Sequence, residues 1–136
     1  MSVFIGDGAN RWPAAHRLDV ARLFRLALEK GEAGAKYHGV AEAGIPFRDI
    51  AAQIATRLRI PTSSCPTAKS AKHLGILSNF IGVDNPSSSD WTRQALGWVP
   101  GQIGLLADMD AHYFESGSPS AARSVLAREE ASRGRV

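Results

Sequence analysis

One cysteine, Cys65, stands in a chain of 136 residues, so no disulfide can close within it. The lack of a cysteine framework leads us to expect a reducing, cytoplasmic setting. No apolar run reaches the roughly 18 residues that a membrane span needs, and no basic stretch precedes an apolar one at the N-terminus, so neither a membrane anchor nor a secretory leader is expected. A Gly-x-Ser-x-Gly elbow is missing, which removes support for a serine hydrolase. Gly31 to Lys36 lacks the Gly-Lys-Ser/Thr ending of a phosphate loop and reads as a helix-to-strand connection. Gly6-Asp7-Gly8 lacks the third glycine of a dinucleotide-binding turn and reads as a plain turn. Cys65 has no histidine near it in sequence to activate the thiol.

Charge of one sign is not concentrated either. The formal charge is +3, with twelve Arg against four Lys, but the basic residues run from Arg11 to Arg135 among thirteen carboxylates. Phosphate binding needs them gathered on one face with stacking aromatics, so no nucleic-acid partner is expected. The four histidines are His16, His38, His73 and His112. Asp108 and His112 offer one i, i+4 pair, but no second pair completes a metal site.

What is present is the balance of a soluble domain, 44% hydrophobic and 21% charged, long enough to bury about two thirds of its unfolded surface. Ser2 to Ile5 reads as a buried strand stopped by glycines, followed by a loop over 9–13. A helix is predicted from about His16 to Lys30, with Val20, Phe24, Ala27 and Leu28 as its apolar face and Gly31 as its stop. Lys36 to Ala41 is a strand candidate, which would complete a parallel strand-helix-strand unit. Pro46 opens a second helix, with Phe47, Ile50, Ala51, Ile54 and Leu58 on one face, ending near Ile60-Pro61. Thr62 to Pro66 reads as a loop. Helices are then predicted over about 67–81, interrupted in quality by Gly75, over 90–96 closed by Gly97, and over about 103–113. Residues 1–114 form the structured segment, and 115–136 a polar tail outside the core. The expected class is α/β, helix-rich with few strands.

The densest chemistry is Asn10, Arg11, Trp12, His16 and Asp19, at the loop after the first strand and the start of the next helix. In parallel α/β folds ligands sit at the carboxyl ends of strands, and an amide, a cation and an indole there make a plausible substrate wall. The structural reading is equally open: Trp12 belongs to the core, and His16 with Asp19 caps the helix.

The stretch from Gly6 to Ala21, with its His16-Arg17-Leu18-Asp19-Val20-Ala21 helix start, resembles a segment of the NAD-dependent epimerase/dehydratase group of extended and atypical short-chain dehydrogenase/reductases. Tyr37-His38-Gly39-Val40 with 45–54, and Leu96-Gly97-Trp98-Val99-Pro100, are similar to later parts of the same family, in the same order. The resemblance implies the C-terminal, substrate-side portion of a Rossmann-like parallel-sheet enzyme. Asn10, Arg11, Trp12 and His16 would then contact a small-molecule substrate. Arg11 stands one residue further from His16 than its counterpart in sugar-nucleotide epimerases, which points away from a sugar nucleotide.

That family uses NAD or NADP, held by a Gly-x-x-Gly-x-x-Gly turn, and a Tyr-x-x-x-Lys pair for proton transfer. Neither motif is in this sequence: Leu26, Glu32, Cys65 and Ala68 stand four residues before the four lysines. The chain alone is therefore expected to bind no cofactor and to catalyse no hydride transfer. A complementary N-terminal half or a homo-oligomer is the expected partner. The alternative is a stand-alone binding or interaction module without catalysis.

Overall fold

The computed structural model describes residues 1–114; the expected polar tail lies outside them. β1 (Ser2–Ile5) ends in a turn where Gly8 takes φ +65°. A Cβ on Gly8 would lie 2.6 Å from Arg48 Cβ and 2.7 Å from the Phe4 ring. Only glycine fits that backbone and that space. The amide of Gly8 donates to the Ile5 carbonyl and its own carbonyl accepts from Arg48 N–H, so the turn is internally satisfied.

The partner of β1 is not the 36–41 segment but β4 (Thr62–Cys65), paired in parallel from Ser2↔Thr62 to Ile5↔Cys65. The expected strand-helix-strand unit is thus replaced by a longer crossover. Thr-Ser-Ser looked like a loop because those side chains are polar. Here the outward positions are solvated while Cys65 turns inward, a half-buried strand without an apolar run. The 36–41 segment forms no strand because α5 (Asp90–Leu96) satisfies much of its backbone instead. Thr92 Oγ1 accepts from His38 N–H at 2.8 Å, and Ser89 and Arg93 donate to the Val40 carbonyl.

The predicted loop over 9–13 contains a second strand, β2 (Arg11–Ala14), antiparallel to β3 (Glu42–Pro46). Its register slips between Trp12 and Ala14, at Pro13, which has no N–H to give to the ladder. α2 (Phe47–Leu58) follows directly. Pro46 is its N-cap rather than its first helical residue, and Asn10 and Gly8 carbonyls accept its first two amides, from Phe47 and Arg48. Buried Ala51 and Ala55 let α2 approach the sheet closely; Ser2 Oγ donates to the Ala51 carbonyl at 2.8 Å.

Beyond β4, α3 (Thr67–Leu74) and α4 (Ser78–Ile81) flank a tighter turn at 75–77. The single helix predicted there is broken at Gly75, whose φ is +56°. The last predicted helix is also divided, into α6 (Leu105–Asp108) and a wider π-helical turn, Met109–Tyr113. Among the described residues no helix is long and apolar enough to cross a membrane.

α1 (Arg17–Lys30) forms where expected, but it faces differently. Phe24 and Leu28 are 69% and 89% exposed, while Leu23 and Asp19 are buried. Leu23 packs with Leu96 and Trp98, against Leu26, Ala27 and Tyr37. Gly97, at φ +64°, reverses the chain after α5 so that Trp98 drops into this cluster fully buried.

Asp19 locks the arrangement. Its carboxylate accepts from Gly101 N–H at 3.0 Å and Gln102 N–H at 2.9 Å, and its carbonyl accepts from the Trp98 indole at 2.9 Å. Burial alone would push the Asp19 carboxyl up, but the two backbone amides, helped by Arg22 and His16, hold it below its ordinary value.

A folded-state value below the unfolded one means that the stabilisation is complete above the ordinary aspartate range, about 3.9, and is lost as pH falls through the lower folded value. Replacing Asp19 by Ala removes the charged acceptor of two part-buried backbone amides and should cost about 2 kcal/mol in urea unfolding. Asp19→Asn should cost less and should also remove this part of the acid sensitivity, read from unfolding midpoints across the acidic range.

Candidate functional site

The four residues singled out in sequence divide between two places. Asn10, Arg11 and Trp12 form a clamp on the segment after α4. The Asn10 side-chain amide donates to the Ile81 and Val83 carbonyls at 2.7 and 3.2 Å. Trp12 donates its indole N–H to the Val83 carbonyl at 3.3 Å and meets Phe47 edge-on at 5.2 Å. Arg11 grips Asp84 with two guanidinium nitrogens at 3.1 and 2.9 Å, and its backbone amide donates to the same carboxylate at 2.7 Å. Hydrogen bonding from Arg11 lowers the Asp84 carboxyl, and the same contact raises the guanidinium. Both side chains are about half exposed, so solvent screens the pair.

His16 lies elsewhere, at the N-cap of α1, where its Nδ1 accepts from Leu18 N–H at 3.2 Å. The capping role is therefore real. The same imidazole also lines a cavity of about 620 Å³ with Arg17, Leu18, Ile103, Leu105, Asp108 and His112. Concave sites with an apolar lining and a few convergent polar groups are where small ligands bind.

The far wall of this cavity is held by carboxylates. Asp19 fixes Gly101 and Gln102, as above, and Glu42 on β3 accepts from Leu105 N–H at 2.6 Å, capping α6. A Cβ on Gly104 would lie 2.7 Å from Glu42 Oε1, so a larger residue there would have to displace the carboxylate that Leu105 binds. Asp110 accepts from Gln53 Nε2 at 2.9 Å and pairs with Arg57 at the same distance, tying the π-helical turn to α2.

On that turn, His112 Nδ1 is 2.8 Å from Asp108 Oδ1, and His16 Nε2 is 3.8 Å from the same oxygen. The i, i+4 spacing revealed the first contact in the sequence. Nothing local could reveal the second, because His16 and Asp108 lie far apart in the chain and meet only in the fold. Among the described residues no three His, Cys, Asp or Glu side chains are placed to hold a metal ion.

Comparison with known proteins adds relatives of greater length. No protein-family model matches the chain. It is 52% identical over 112 residues to an uncharacterized protein of Saccharomyces cerevisiae, a match covering 82% of this chain and 38% of that one. An uncharacterized protein of Schizosaccharomyces pombe is 50% identical over 115 residues, covering 83% and 39%. The chain thus spans about two fifths of the length of these curated relatives. Its structure is similar to a dTDP-glucose 4,6-dehydratase of Streptomyces venezuelae solved with NAD and TYD bound, at a TM-score of 0.54 and 18% identity, over 83% of this chain and 35% of that one. The likeness shows the fold: a mixed α/β piece of a Rossmann-like architecture, with a parallel strand pair, as the sequence resemblance implied.

The clamp and the cavity should respond independently to substitution. Arg11→Ala or Asp84→Ala should speed hydrogen exchange at the Arg11 and Asn85 amides, since the latter donates to the Arg11 carbonyl. The double variant should be no faster than either single one, and the imidazole resonances of His16 and His112 should stay in place.

Proposed function

We propose that the chain is the substrate-binding, C-terminal portion of an NAD(P)-dependent oxidoreductase or epimerase-like protein, with the coenzyme cradle and the Tyr-x-x-x-Lys pair supplied by polypeptide outside it. The observation that carries this reading is the cavity at the start of α1, whose mixed wall combines Arg17, His16, His112 and Asp108 with the apolar Leu18, Ile103 and Leu105. The Rossmann-like likeness and the greater length of the relatives support it. In this reading His16 faces the small-molecule substrate, and Asn10, Arg11 and Trp12 keep the adjoining strand and loop in position.

The surface also supports a partner. Among the described residues the parallel sheet has two strands, and pairs that small are marginal in water without neighbours. Phe24 and Leu28 lie exposed on α1, beside an apolar groove lined by Val20, Leu23, Ala27 and Tyr37. Exposed apolar area of this kind invites association. We assign it to the complementary half carried by the longer relatives.

A second reading, a free-standing binding module without catalysis, has one observation in its favour. The Leu23–Leu96–Trp98 cluster and the Asp19 contacts form without help from the parallel sheet.

The purified chain should show no fluorescence change on titration with NADH or NADPH. Co-expression with the portion of the Saccharomyces relative outside the match should raise its soluble yield and bring coenzyme binding. Micromolar NADPH binding by the chain alone, or no gain in solubility from the added portion, would contradict the proposal. Cooperative melting of a soluble chain indifferent to that portion would favour the free-standing module.

A further inference from the structure

The cavity brings two imidazoles to one carboxylate. Asp108 is 14% exposed, and a carboxylate can only accept, so the proton in its 2.8 Å contact with His112 belongs to Nδ1 of the imidazole. Neutral His112 is thereby fixed with a lone pair on Nε2. Its side chain is 65% exposed and lines the cavity, so this nitrogen is open to a bound molecule.

His16 is fixed in the opposite sense. Its Nδ1 is occupied by Leu18 N–H, which leaves the proton of the neutral ring on Nε2, turned toward the same Asp108 oxygen at 3.8 Å. One carboxylate therefore faces two imidazoles of complementary tautomers. A carboxylate that holds an imidazole by Nδ1 and leaves Nε2 free is the arrangement by which histidine serves as a general base.

The other groups around it set the ligand class. Arg17 is the permanent cation lining the cavity, and Leu18, Ile103 and Leu105 supply apolar wall. Asp110, the neighbouring carboxylate on the same turn, is engaged by Arg57 and Gln53.

We propose that His112 accepts the proton of a substrate hydroxyl other than the one served by the Tyr-x-x-x-Lys pair of the proposed reading, with Asp108 as its positioning residue and Arg17 facing an anionic group on the same molecule, so that the ligand is a small hydroxy acid with an apolar body. The hydroxyl O–H bond breaks and its proton goes to Nε2. An alkoxide and an imidazolium result, and the Nδ1 proton stays on the Asp108 contact, where the new positive charge meets a negative one. The hydroxyl class rests on the reading of the cavity as a substrate pocket; the His112–Asp108 pair does not.

Two measurements on the chain test the pair directly. Long-range proton–nitrogen spectra of the imidazoles in mildly alkaline buffer should show His112 protonated on Nδ1 and His16 on Nε2; the reverse tautomer at His112 would overturn the proposal. The second uses p-nitrophenyl acetate as a probe of the free nitrogen. Nε2 bonds to the carbonyl carbon, p-nitrophenolate leaves with the electron pair of the broken C–O bond, and water then releases acetate and restores the imidazole.

His112→Gln should lower the protein-dependent release of p-nitrophenolate on the order of tenfold. Asp108→Asn should lower it and shift the His112 tautomer together, while His38→Gln, at an exposed imidazole elsewhere, should leave it unchanged. A wild-type rate in His112→Gln would overturn the base, and a wild-type tautomer in Asp108→Asn would overturn the positioning role.

For the ligand class, 2-hydroxybutyrate should slow the probe reaction more than 2-butanol does, and Arg17→Gln should erase that difference. Equal protection by the two in the wild-type chain would overturn the hydroxy-acid assignment. Coenzyme binding enters none of these readouts, so the oxidoreductase reading and the proton-transfer pair fail separately.

Discussion

A single buried carboxylate decides where the second half of this structure lies. Asp19 sits inside α1 with no solvent contact and accepts two backbone amides from a segment 82 and 83 residues away. A buried charge is tolerable only when such donors surround it. The same residue's carbonyl accepts a hydrogen bond from the Trp98 indole N–H, so the apolar cluster and the polar latch occupy one place. With those contacts, the chain that leaves Gly97 has one course, across the start of α1 and on to α6. The cavity is the space left between these two elements.

Repeated use of carboxylates on backbone amides gives the site its rigidity. Asp19 holds Gly101 and Gln102, Glu42 holds Leu105, and Asp84 holds Arg11. Each replaces a hydrogen bond to water that a loop would otherwise make, and charge-assisted bonds of this kind are stronger than neutral ones. The consequence for chemistry is positional. His16 is fixed by its cap and His112 by Asp108 and the anchored π-helical turn, so two imidazoles from distant stretches face one oxygen. In the proposed reading this wall belongs to a larger α/β protein, and the apolar side of α1 is where the remainder is seated.

The sequence showed those features whose causes are local. α1 and α2 carried periodic apolar positions, β1, α1 and α5 carried glycine stop signals, Gly97 above all, and His16 advertised its capping role. β4 was hidden because Thr-Ser-Ser carries no apolar pattern; its strand comes from pairing with β1. β2 was hidden by Trp12-Pro13, since proline argues against a ladder it here only disturbs. The 36–41 stretch looked like a strand, yet side chains of the α5 region take the His38 amide and the Val40 carbonyl. The apolar face assigned to α1 was displaced because a charged residue, Asp19, occupies the core. Its partners are backbone groups, and no residue pattern marks them. For the site, the Asp108–His112 spacing was legible and its meeting with His16 was not. That meeting depends on contacts between residues far apart in the chain.

The most direct measurement is native-state amide hydrogen exchange at Gly101 and Gln102. If Asp19 is what joins the two halves, these loop amides will exchange only in the opening that also exposes the α1 amides, with the same free energy. Substitution of Asp19 by Asn will then lower the protection of both together. Exchange of Gly101 and Gln102 at the rate of an unprotected loop, while α1 stays closed, would show that the latch is not what holds this structure.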